Sequence, residues 1–131
     1  MAVSQSVDIV SVDSGSTFAS GDLYKFVTLN ASGAVVLPAT TGNILPFGVL
    51  YGVTSTTNAG QAVPVAIGGI AKIRMAGSTQ AAGAFIGSST SGLGIAPTTD
   101  AYVAAQIVSG SSGSTGRIVT GKLLSGSLGA V

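Results

Sequence analysis

The chain has 131 residues, with five Lys or Arg, four Asp, no Glu, no His and no Cys, and a net charge of +1. The missing residue types exclude disulfides, thiol nucleophiles, Ser-His-Asp triads and the usual zinc ligand sets. The sparse cations, of which only Lys72 and Arg74 stand close together, lack the clustering a nucleic-acid footprint needs.

A chain of this length is expected to form one domain that buries about two-thirds of its surface. Mean hydropathy is high at +0.64, yet no segment has the roughly 20 apolar residues of a spanning helix. The best stretch, residues 44–53, is broken by Pro46, Gly48 and Gly52, and no membrane association is expected. The first ten residues lack a basic region and a continuous apolar run, so no signal peptide is expected. With so few charges, much of the surface is expected to be covered in the working state by copies of the chain or by a larger partner.

Gly, Ser and Thr clusters punctuate short β-rich runs, and 20 glycines disfavour helices. The expected fold is all-β: a small barrel or sandwich of short strands with an extended N-terminal arm. Residues 1–20 form the arm, 21–124 the barrel and 125–131 a tail. In the arm, 7–12 reads as a strand, and Val7, Ile9, Val10 and Val12 are the candidate contact residues. A strand over 23–29 carries apolar residues on both faces, which predicts cover on both sides. Asn30-Ala31-Ser32-Gly33 reads as a turn, with a return strand over 34–37.

A strand over 46–53 is interrupted by its glycines. Val63, Val65 and Ile67 alternate as in a half-buried strand, where Pro64 needs an edge or a non-bonded slot. Gly68-Gly69 reads as a break. Beyond it, Ala71, Ile73 and Met75 face inward, and Lys72 and Arg74 outward. Segments 84–87 and 92–96 form a hairpin. Residues 97–106 suit either a short helix capped by Thr98 or Thr99, or a strand over 104–108. A Gly/Ser loop over 109–116 precedes a closing strand over 117–124. No strict internal repeat is evident.

The only carboxylates are Asp8, Asp13, Asp22 and Asp100. No metal, cofactor or small-molecule substrate is expected. Ser-Lys chemistry would have to draw on Lys25, Lys72 or Lys122, none at a telling spacing. The glycine-rich run 110–116 lacks the Lys of a phosphate loop. Val12-Asp13-Ser14-Gly15-Ser16-Thr17 resembles the Asp-Ser/Thr-Gly motif of aspartic proteases. The segment 65–71 also resembles the flap of their dimeric retroviral-type members, where two Asp share a proton. Asp13 lies near the N-terminus, far from residue 67, and the later family segment is missing. The plainer reading is an Asx or Ser turn at a strand end.

From Gly21 onward the order of features resembles the decoration (cement) proteins of tailed-phage capsids. It is carried by Ala19-Ser20-Gly21-Asp22-Leu23, by residues 32–39 (Ser-Gly-Ala-Val-Val-Leu-Pro-Ala) and by Phe47-Gly48-Val49-Leu50. It continues in residues 59–65 (Ala-Gly-Gln-Ala-Val-Pro-Val), Gly68-Gly69 and the final run 116–124. The chain departs from that pattern at Ser91-Gly92, where an acidic turn is usual, and in its longer Ser-rich loop over 109–116.

The resemblance implies no catalysis. It implies a small β-barrel that forms homotrimers on the outer capsid surface of the virion, bound to the major capsid protein at three-fold and quasi-three-fold positions. An arm over 1–20 would then contact the shell by adding a strand to it. Deleting residues 2–12 would be expected to abolish binding while leaving the domain folded. Lys25, Lys72, Arg74 and Arg117 are candidate rim charges, though isolated exposed charges contribute only ~0–1 kcal/mol. Another phage tail, fibre or adhesin-like β module is the alternative. A carbohydrate-binding adhesin would be expected to cluster exposed aromatics, whereas the three Tyr and four Phe here are scattered.

Overall fold

The computed structural model describes residues 7–38, 45–52, 56–57, 59–77, 80–97, 102–110 and 113–124. Eleven strands and one 3-10 turn account for its regular structure, and no α-helix is present among the described residues. The strands are β1 (Val7–Asp13), β2 (Phe18–Ala19), β3 (Phe26–Leu29), β4 (Val35–Val36), β5 (Gly48–Leu50) and β6 (Thr56–Thr57). They continue with β7 (Ala62–Arg74), β8 (Phe85–Ser88), β9 (Gly94–Ile95), β10 (Ala105–Ser109) and β11 (Ile118–Leu123). Nine strands form one antiparallel sheet ordered β4-β3-β5-β7-β11-β10-β8-β9, with β1 added to β7; β2 and β6 pair separately. The expected all-β architecture of short strands is therefore the observed one, as a curled half-barrel sheet.

The 13-residue β7 organises the sheet. The sequence suggested a break at Gly68-Gly69, but the strand runs through it. One residue is instead added, where Asp8 pairs with Gly68 and Ile9 already pairs with Ala66. Such a bulge shifts the alternation by one position. Val63 and Val65 before it and Ala71, Ile73 and Met75 after it are all odd-numbered and buried, yet they serve different cores. Pro64 is tolerated because its carbonyl, which accepts from Tyr51 N–H (2.9 Å), faces the β5 side just past the end of β5. In a β-strand the amide position points to that same side, so the proline costs no bond to β1, and only the reciprocal bond to Tyr51 O, beyond the end of β5, goes unmade.

Of residues 1–20, read from the sequence as an arm, 7–13 are built into this sheet and 18–19 pair with β6. β1 pairs along β7 from Val7 to Asp13, and Phe18 is fully buried. Residues 1–6 and 125–131 lie outside the described residues. The 23–29 strand begins only at Phe26, because Ser20–Asp22 makes a 3-10 turn and Tyr24 takes a left-handed conformation (φ = 69°). Phe26 and Val27 enter different cores, as a strand covered on both faces should. Of the helix-or-strand alternatives after Pro97, the chain takes the strand at Ala105–Ser109; residues 98–101 lie outside the described residues.

Each half of the sheet curls into a half-barrel, and the two halves repeat one another. The first uses β1, β3, β4, β5 and the start of β7; the second uses the end of β7, β8, β9, β10 and β11. Ser14 bridges Val35 at the lip of the first, and Met75 bridges Gly94 at the lip of the second, both in parallel. The residue pairs coincide. Phe26↔Val49 and Val49↔Ala66 in the first half answer to Phe85↔Gln106 and Gln106↔Lys122 in the second. Val12↔Val63 and Ser11↔Pro64 answer to Ile73↔Val119 and Lys72↔Thr120.

The connecting hydrogen bonds repeat as well. Tyr24 N–H donates to Leu50 O and Gly83 N–H to Ile107 O, both at 2.8 Å; Gly60 N–H donates to Ser14 O and Gly116 N–H to Met75 O, again both at 2.8 Å. With this register the sequence repeat becomes visible: residues 26–38, from Phe26 through Ser32-Gly33 to Pro38, align without gaps on residues 85–97, from Phe85 through Ser91-Gly92 to Pro97. The two halves share β7, the last strand of one and the first of the other.

Candidate interaction surfaces

The sequence-derived contact residues do not act as a group. Val10 and Val12 pack on the first core with Val63 and Val65, and Val7 packs on the second. Ile9 alone turns outward, at 47% exposure. Main-chain geometry adds what the side chains lack. Ser14 N–H donates toward β7, to Gln61 O at 2.8 Å, so by alternation Val12 and Val10 also face β7. The amides of Asp13, Ser11 and Ile9 face the other way. Among the described residues β1 itself pairs as a strand with β7 alone, leaving that edge uncovered short of the Ser14↔Val35 bridge at its far end.

The equivalent edge in the second half is covered. Arg74 N–H donates to Tyr24 O (2.8 Å), and Lys72 N–H donates to the Tyr51 hydroxyl (3.1 Å). Tyr24 and Tyr51 meet edge-to-face at 5.4 Å, and the Lys72 ammonium sits 5.7 Å from the Tyr24 ring centre. Phe26 N–H donates to Gly92 O (2.7 Å). Behind these contacts the outer row of the first half, Phe26, Val49 and Ala66, is buried against the second half-barrel. This seam also holds an apolar cleft of about 520 Å³ lined by Phe26, Leu29, Leu45, Phe47, Ile67 and Leu123 among others.

The matching outer row of the second half, Phe85, Gln106 and Lys122, has nothing over it among the described residues. Phe85 is 51% exposed and its neighbour Val108 46%, against 1% for Phe26. Leu29 and Ile118 are also exposed. Sequence reasoning missed Phe85 and Val108. Sliding the sequence along itself would have marked Phe85, by aligning it with Phe26; Val108 is reached only through the strand register.

The cations divide. Lys25 pairs with Asp22 at 3.0 Å. Arg74 is half-buried and donates from Nε to Leu23 O (2.9 Å) and from Nη1 to Gly116 O (3.4 Å). Lys72, Arg117 and Lys122 are exposed. Burial alone would raise the Asp22 carboxyl. The Ala19 N–H, the Lys25 ammonium and Arg74 together outweigh it and hold the group below its ordinary value. Asp8 and Asp13 are exposed on β1, and Asp100 lies outside the described residues. The flap-like segment 65–71 is the interior of β7, held between strands rather than hinged over Asp13.

No family model matches the chain, and no curated protein matches it. Among solved structures, it is similar to the N base of the head fiber gp8.5 of bacteriophage phi29, with a TM-score of 0.60 and 14% sequence identity. The likeness spans 95% of this chain and 99% of that one. At this identity the likeness is one of fold.

Proposed function

We propose that this chain is a structural protein of a phage head, which binds the outer surface of the shell and works by adhesion rather than catalysis. The likeness in fold to a head-fiber base, over nearly the whole chain, carries the reading. The order of motifs resembling capsid decoration proteins, the low charge and the exposed Ile9, Phe85 and Val108 support it. The partner in this reading is the major capsid protein. Three copies gather at three-fold or quasi-three-fold positions, bridge neighbouring subunits after expansion and hold them against the pressure of packaged DNA. A trimer that engages three neighbouring sites gains avidity, so each contact can be weak.

Co-sedimentation of the purified chain with expanded and unexpanded heads tests this. Saturable binding to expanded heads, at three copies per site, is the expected result. Failure of the folded chain to bind either form would overturn it. A second reading, the base of a head fibre, is favoured by the same likeness. The two separate on shell stability. Heads stripped of a cement protein release DNA at lower temperature, whereas heads stripped of a fibre base do not.

A further inference from the structure

We propose that the seam between the two half-barrels is used a second time, between copies: the Phe85–Val108 face of one chain docks on the open β1 edge of the next. The proposal takes self-association from the function proposed above and names the surfaces that make it.

The seam inside the chain has two sides. One is the outer row Phe26, Val49 and Ala66 with Tyr24 and Tyr51; the other is the free edge of β7 at Lys72 and Arg74 with Gly92. Because the two half-barrels repeat, each side exists twice. The second copy of the row is Phe85, Gln106 and Lys122, with Gly83 and Val108 in the places of Tyr24 and Tyr51. The second copy of the edge is Ser11 and Asp13, with Gly33 in the place of Gly92. Every one of these residues except the half-buried Gln106 is exposed. The backbone that forms the seam within the chain is thus offered again at both ends: Gly83 O keeps a second lone pair beside the bond it accepts from the Gln106 side-chain amide (3.0 Å), and among the described residues no strand lies over either end.

Charge favours this pairing of ends. Among the described residues, the free face carries Lys122 and no acid, and the free edge carries Asp8 and Asp13 and no base. Two like ends would instead bring like charges together. The second seam is wetter than the first, since Gln106 replaces Val49 and Lys122 replaces Ala66. Terminal repeats in stacked arrays often carry such polar outer faces as caps. A mere cap gives no reason for a phenylalanine at 51% exposure beside a valine at 46%, whereas an aromatic anchor ringed by polar groups suits an interface. The contact is heterologous, so it closes into a ring or runs on as a filament. Closure after three copies gives the three-fold assembly.

The test is solution mass by light scattering for the wild-type chain and for Phe85→Asp and Val108→Asp, with thermal unfolding to confirm the fold. It is joined to cross-linking of copies that carry one cysteine each, which the cysteine-free chain makes clean. The expected mass is about three times 12.6 kDa. Both aspartate variants should weaken association about tenfold or more while remaining folded. A short bis-maleimide should join Ser11→Cys copies to Val108→Cys copies, and neither kind to itself. A wild-type monomer at all concentrations, undiminished association in both folded variants, or equal linking of like copies would overturn the proposal. Loss of shell binding by an intact trimer would sink the head-surface reading and leave this interface standing. Shell binding by a chain that never self-associates would do the reverse.

Discussion

Tyr24 holds φ at 69°, while its counterpart in the second half-barrel is Gly83 at 89°. A side chain in this left-handed region costs about 1 kcal/mol or more, which glycine escapes. Tyr24 offsets the cost through its ring, which packs on Tyr51 and lies under Lys72. Tyr24→Ala keeps the strain and loses the ring; Tyr24→Gly loses both. Thermal unfolding should therefore rank wild type first, then Gly, then Ala lowest by about 1 kcal/mol. Ala equal to or above Gly would refute the strain argument. Asp22 offers a second test. Its folded carboxyl lies below the ordinary value of 3.8, so its contribution is present above that pH and is lost as pH falls through the lower folded value. Asp22→Asn should cost about 1–2 kcal/mol at neutral pH. An acid titration of stability should show a shallower decline for the variant than for the wild type.

At the scale of elements, the hairpins β3-β4 and β8-β9 turn on Gly33 (φ = 80°) and Gly92 (φ = 83°). A Cβ on Gly33 meets nothing, whereas one on Gly92 would lie 2.5 Å from Phe26 O, across the seam. Alanine at either site pays the conformational cost, and only at Gly92 must the seam also part. Gly92→Ala should destabilise more than Gly33→Ala by about 1–3 kcal/mol, measured by denaturant unfolding. β1 bears on the sequence-derived arm. Removing residues 7–13 would bare Val63 and Val65, at about 1.5–3 kcal/mol each. That is a large share of a total near 5–15 kcal/mol, so the truncated chain should lose cooperative unfolding rather than remain folded.

These elements also show what the sequence could and could not reveal. The alternation of Val63 with Val65, and of Ala71 with Ile73 and Met75, was legible because the bulky apolar residues recur at every second position on each side of the bulge. The bulge between them was not, since Gly68-Gly69 looks the same as a turn until its pairing with Asp8 is known. The late start of β3 was hidden because no local pattern puts a tyrosine in a left-handed conformation. Val7, Ile9, Val10 and Val12 could be picked out as an apolar strand, but only the register on β7 shows that Ile9 alone points away.

For the whole molecule, the repeat is written in main-chain register more than in side chains. Residues 26–38 and 85–97 coincide at one Phe, one Ser, one Gly and one Pro. The segments that follow differ in length, which blurs any fixed period. The repeat gives a small, weakly charged chain a continuous core, by burying one half-barrel's outer row under the other. It also leaves two complementary ends unspent, the asymmetry that a surface-bound oligomer can use.

The most direct test is cryo-electron microscopy of heads from the phage that encodes this sequence, prepared without the chain and then mixed with it. The account predicts added density on the outside of the expanded shell, three copies around each three-fold or quasi-three-fold position, with neighbours in head-to-tail contact. A shell that stays bare in the presence of folded, saturating protein would contradict it.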